Sequence, residues 1–162
     1  SFASATNANR AAGIDSFFSS TDNNFFLTGV QMEVGSQATP FEHRSFGEEL
    51  ALCQRYYYHH CEGTSENVSL GDAHNSTQAD CVVHFPVTMR ASPSLDASNG
   101  TNYWIFYIAN SGKYSANAWT IYRAMKTGAT CYNSGFSGMT AGNAGRILPA
   151  NASAYMAFDA EL

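Results

Sequence analysis

Apolar and polar positions alternate with period two in several stretches of this chain, the spacing of strands with one buried face. Val30, Met32 and Val34 alternate with Gln31 and Glu33, and Gly35 and Pro40 stop that run. Phe17-Phe18 and Phe25-Phe26-Leu27 flank a turn-like stretch at residues 19–24, which predicts two strands joined by a loop. Further on, Cys81, Val83, Phe85, Val87 and Met89 alternate with Val82, His84, Pro86, Thr88 and Arg90. Pro86 removes a ladder donor there and marks an edge or a bulge. Residues 103–109 form a dense apolar run with Trp104, Phe106 and Ile108 on one face. The hairpin signal Asn110-Ser111-Gly112-Lys113 follows, and residues 118–126 are expected to pair back across it. Tyr56 to Cys61 predicts a strand, Cys131-Tyr132 opens a short one, and Met156 and Phe158 point inward on the last. Residues 62–78 and 135–145 predict loops.

One segment changes period. Phe46, Leu50 and Cys53 lie on one face of a predicted helix over residues 45–55. Ser45 stands three residues before Glu48, which is capping-box spacing. Glu48 and Glu49 suit the positive end of the helix dipole, and Arg55 suits the other end. A helix of three turns is not stable alone and must pack on something. Either it covers its own sheet, or Phe46 and Leu50 meet equivalent helices of other copies.

Composition narrows the classes. Eight basic against thirteen acidic residues give a net charge of −5, which argues against a nucleic-acid partner. No apolar run is long enough to span a bilayer as a helix, so no membrane insertion is expected. The chain opens at Ser1 in mid-pattern and without a signal peptide, which predicts a piece of something longer. Cys53, Cys61, Cys81 and Cys131 fit no zinc spacing. The four N-x-S/T sequons match what a chain rich in Asn, Ser and Thr yields by chance.

Catalytic patterns are missing: no G-x-S-x-G, no P-loop and no H-E-x-x-H. Asp72-Ala73-His74 lacks a nucleophile elbow and predicts a solvated loop. His59 and His60 would point to opposite faces of a strand, so one chain cannot easily use both on one ion. The expectation is a non-enzymatic protein with no cofactor and no metal.

A longer pattern carries a resemblance. The run TGVQMEVG (28–35) followed by ATPFEHRSFGEELALCQRYY (38–57), with the ending YMAFDAEL (155–162), resembles the C-terminal region of tail fibres and related virion proteins of tailed phages, marine ones especially. The resemblance covers about a fifth of the chain, and residues 62–150 match nothing in it. It implies a virion protein, extracellular when functioning, that attaches to a host cell surface. It also implies a homotrimer, with Arg44, Phe46, Glu49, Leu50 and Arg55 as candidate subunit contacts. Assembly in bacterial cytoplasm implies free buried thiols, whereas secretion would favour one or two disulfides.

Taken together, the expected fold is mostly β. A jelly-roll-like β-sandwich over 56–162 is preceded by the short helix at 45–55 and an N-terminal strand segment at 1–44. Two strands alone cannot bury both faces, so that segment needs partners upstream or in sister chains. The expected activity is binding of a surface glycan or lipopolysaccharide. Tyr114, Trp119, Tyr132, Asn133 and Phe136 lie in or beside Gly/Ser/Asn-rich loops, where rings stack on sugar faces and amides both donate and accept. Trp119 has a competing reading as core, because Ile121 follows on the same face. Two other classes stay open: a secreted carbohydrate-binding module, and a purely structural fibre subunit.

Overall fold

The computed structural model describes residues 20–22, 24–37, 39–41, 43–64 and 66–161. The expected strand at Phe17-Phe18 lies outside them. The chain divides into two units, residues 1–43 and 44–162.

In the first unit no described residue is in a strand, and Val30, Met32 and Val34 are all exposed. The alternation makes these residues suited to a sheet, but a strand exists only when a neighbour takes its amides and carbonyls. The described residues supply no such neighbour. Local polar contacts order the segment instead. Glu33 accepts from the Thr39 backbone amide and hydroxyl and from the Gln31 side chain. Those bonds favour the carboxylate and hold Glu33 below its ordinary pKa, the Thr39 hydroxyl contributing most.

The second unit begins with helix α1 (Phe46–Gln54). Its capping box forms: Ser45 Oγ accepts from the Glu48 amide at 3.3 Å, and Glu48 Oε2 accepts from the Ser45 amide at 3.0 Å. No residue of α1 is buried; Phe46 is 82% exposed.

Ten strands follow: β1 (Tyr57–Glu62), β2 (Ser69–Ala73), β3 (Ala79–His84), β4 (Ser94–Ala97), β5 (Trp104–Ile108), β6 (Gly112–Ala116), β7 (Thr120–Met125), β8 (Gly128–Asn133), β9 (Ala144–Pro149) and β10 (Tyr155–Asp159). They form two antiparallel sheets, ordered β1-β10-β4 and β6-β5-β9-β2-β3-β8-β7. The fold is mostly β, a two-sheet sandwich after a short helix.

The inward faces are those that the period-two pattern marks. Trp104, Phe106 and Ile108 of β5, Cys81 and Val83 of β3, and Met156 and Phe158 of β10 are buried in one continuous core. Phe158 meets Phe85 at 4.9 Å between ring centres, and Phe106 meets Phe136 at 6.0 Å. Truncating such a side chain costs about 3–5 kcal/mol. The sandwich therefore closes its interior within one chain. Exposed apolar side chains remain on α1 and on residues 26–41.

The pairing after the hairpin differs from expectation. Strand β5 pairs with β6, directly across the turn, and β7 pairs with β8 instead. The turn places Asn110 at φ 63° and Gly112 at φ 115°, so the chain reverses at once and residues 112–116 take the neighbouring place. Strand β2 falls in a stretch that predicts a loop, and β9 begins at the end of another. Pro86 lies beyond β3, where the ladder has already ended at His84.

Candidate functional site

Alternation gives the seven-stranded sheet a second, outward face, and the registers, with a bulge between Ile121 and Arg123 on β7, place one row of side chains across it. Lys113 on β6 stands opposite Tyr107 on β5, Tyr107 opposite Arg146 on β9, and Arg146 opposite Leu70 on β2. Gly71 pairs with Cys81, which brings Leu70 beside Val82 on β3. Val82 stands opposite Thr130 on β8, and Thr130 opposite Arg123 on β7. The row reads Lys, Tyr, Arg, Leu, Val, Thr, Arg. Leu70 is 74% exposed and Val82 48%, so its centre is an open apolar strip.

Both arginines lie over tyrosine rings. The Arg146 guanidinium sits 5.2 Å from the Tyr107 ring centre, and that of Arg123 sits 5.3 Å from Tyr122. A cation over a ring face contributes about 0.5–1 kcal/mol at exposed sites. Among the described residues no carboxylate lies within ion-pair distance of Lys113, Arg123 or Arg146. Beside Arg146 a shallow cleft of about 280 Å³ opens, lined by Leu70, Tyr107, Ala109, Ala144, Gly145 and Arg146.

A second row runs parallel to the first. Ala144 stands opposite Asp72, Asp72 opposite Asp80, Asp80 opposite Tyr132 and Tyr132 opposite Thr120. Gln78 Nε2 donates to Asp80 at 2.7 Å, and His74 Nδ1 lies 3.8 Å from the same carboxylate. One margin of the face is therefore cationic and the next acidic.

Comparison with protein-family models, curated proteins and solved structures gives no match.

The five candidate binding residues separate sharply. Tyr132 lies on the outward face, half-buried, with Tyr122 edge-on at 6.3 Å. Asn133 is the next residue and points inward. It is 3% exposed, and its Oδ1 accepts from the Gly135 amide at 2.7 Å. Trp119 and Phe136 are core residues, 5% and 3% exposed, and pack on each other at 6.3 Å. Tyr114 sits opposite Phe106 on the inward side, half-buried, with its hydroxyl donating to the Ser111 carbonyl. Gly/Ser/Asn-rich flanks suggest exposure for these residues; the sheet instead turns four of the five inward, Tyr114 half-buried against the core.

Among the candidate subunit contacts, Arg44 pairs with Glu49 at 3.0 Å, beside exposed Phe46 and Leu50. Arg55 caps α1, and its carbonyl accepts from the Arg90 amide at 2.7 Å.

The three-stranded sheet carries a different cluster. Tyr57 and Tyr155 both donate to the Asp96 carboxylate, at 3.1 and 2.9 Å, and His59 stacks on Tyr155. Burial first, then Asp96, pushes the Tyr57 phenol up; for Tyr155 the bond to Asp96 is the larger cause. Each Asp96 oxygen already has a phenol, so this group is closed on itself. His60 is likewise held, between the Tyr58 hydroxyl and the Val68 carbonyl. Among the described residues no group of three or more His, Cys, Asp or Glu side chains could hold a metal ion, and no helix is long and apolar enough to cross a membrane. All four cysteines are free, and three are buried.

Sequence reading misses Leu70, Val82, Tyr107, Lys113, Tyr122, Arg123 and Arg146 as a group. Their neighbourhood is a product of strand order, and no local spacing encodes it.

Proposed function

We propose that this chain is a phage tail-fibre tip that attaches to a host cell surface by binding surface glycan, through the outward face of its seven-stranded sheet. The observation that carries this reading is the Leu70–Val82 strip flanked by two arginine–tyrosine plates. Apolar sugar faces stack on such a strip, and fixed donors at its margins bind hydroxyl and acid groups. The segments at 28–57 and 155–162 that resemble tail fibres support the virion setting. Lipopolysaccharide, whose outer part is glycan, falls within the same chemistry.

In this reading the working form is a homotrimer. The sandwich is complete in one chain, so sister chains would cover α1 and residues 26–41, whose apolar side chains are exposed. Adsorption of fluorescently labelled protein to a panel of bacterial strains tests attachment. Wild type binds at least one strain, and Leu70→Glu removes that binding while its circular dichroism stays unchanged. Adsorption that Leu70→Glu leaves intact would refute the sheet-face assignment. Light scattering tests the trimer, and a monomer at micromolar concentration would refute it.

A carbohydrate-binding module is the second reading. The observation favouring it is that residues 44–162 bury a continuous core without a partner chain. Glycan binding by a monomer would select it.

A further inference from the structure

We infer that the glycan bound on this face is a linear acidic polysaccharide carrying a carboxylate on every second sugar, laid across the strands along the Lys113–Arg123 row. The inference rests on the glycan-binding reading above and names its ligand class.

Charge comes first. The chain carries net −5, yet three of its eight basic residues fall in a single row. None of the three has an ion-pair partner among the described residues, and Arg146 and Arg123 already lie over the Tyr107 and Tyr122 rings. A stacked guanidinium keeps its donor edge free, and that edge matches a carboxylate with two parallel hydrogen bonds.

Spacing comes second. Neighbouring strands lie about 4.8 Å apart, so Lys113 and Arg146, two strands apart, are separated by roughly 10 Å at the backbone. Arg146 and Arg123, four strands apart, are separated by roughly 19 Å on the same arithmetic. The first interval is about the length of a disaccharide in an extended chain and the second about twice that. On this spacing the uncharged sugars lie over Tyr107, Leu70 and Thr130, and the carboxylate midway between the two arginines falls over Val82 with no cation opposite it. The cleft beside Arg146 receives one ring.

The acidic row fixes the side. Asp72 and Asp80 would repel an anionic chain that drifted towards them, with His74 beside Asp80. An acidic polymer is thus confined to the cationic margin, whereas a neutral polymer is not.

The test uses the full chain and calorimetry or surface binding. Hyaluronan oligosaccharides, with one carboxylate per disaccharide, are compared with neutral dextran of equal length. At low salt hyaluronan binds about tenfold tighter or more, and the difference collapses in molar salt as the charges are screened. Arg146→Gln and Lys113→Gln each remove most of the preference, and Asp72→Asn strengthens hyaluronan binding by about two- to threefold. Hyaluronan binding no tighter than dextran, or a preference untouched by Arg146→Gln and Lys113→Gln, overturns the inference. If cells still adsorb the protein and Leu70→Glu abolishes that, the sheet-face reading survives without the acidic ligand. If neither polymer nor any cell binds, both fail.

Discussion

Gly145→Ala is the sharpest probe of the sheet that carries the face. Gly145 on β9 and Gly71 on β2 are register partners, next to Arg146 and Leu70. A methyl group at Gly145 would lie 2.6 Å from the Tyr107 carbonyl oxygen and 2.9 Å from two ring carbons of Phe106. Phe106 is fully buried and wedged against Phe136, so its ring has nowhere to swing. The carbonyl belongs to the adjacent strand and moves only if the ladder moves. Overpacking costs about 1–3 kcal/mol, and a backbone obstacle puts this case at the upper end, about 3 kcal/mol. For a domain of this size each kcal/mol shifts Tm by about 4 °C, giving a loss of about 10 °C or more. Gly71→Ala, with the Asp80 carbonyl oxygen 2.3 Å from the added carbon, falls at least as far. Gly47→Ala on α1 meets nothing within 4 Å and should gain about 0.5–1 kcal/mol of local helix stability. The assay is thermal and urea unfolding followed by circular dichroism. A Gly145→Ala melt within about 2 °C of the parent would refute the close strand approach.

Thiol reagent on the native protein should label Cys53 at once and spare the rest. Burial pushes Cys61 up to about 11 and Cys131 up to about 12, and Cys81 higher still, so all four react together only after unfolding. Ser45→Ala should cost about 1 kcal/mol of α1 stability, read as lost helical signal with the sandwich melt unchanged. The cap also titrates. The Ser45 amide and hydroxyl hold Glu48 below 4.5, so its contribution is complete above 4.5 and is lost as pH falls through the lowered value. Helical signal that is flat on acidification across that window would contradict the capping box. Asp96→Asn should return the Tyr155 phenol nearly to its ordinary pKa and Tyr57 only in part, since burial remains for Tyr57; ultraviolet titration separates the two. Equal shifts would show that burial does not dominate at Tyr57.

Local spacing alone determined a good part of this molecule. The helix start follows from Ser45 and Glu48, because a capping box is a contact between residues three apart. The inward faces of β3, β5 and β10 follow from alternation, because successive side chains on a strand point to opposite sides. Residues 30–34 have the same alternation without a sheet, since pattern gives a face and only a partner gives a ladder. Strands β2 and β9 escaped notice because Gly71, Asp72, Gly145 and their neighbours have turn chemistry, and the glycines stand there for close strand approach instead. Trp119, Asn133 and Phe136 have loop neighbours yet belong to the core, because the ends of β7 and β8 fold them beneath the sheet. The binding face was decided entirely by tertiary structure. Lys113, Arg123 and Arg146 are tens of residues from Leu70, and a row across seven strands exists only once non-local hydrogen bonds fix their order and register.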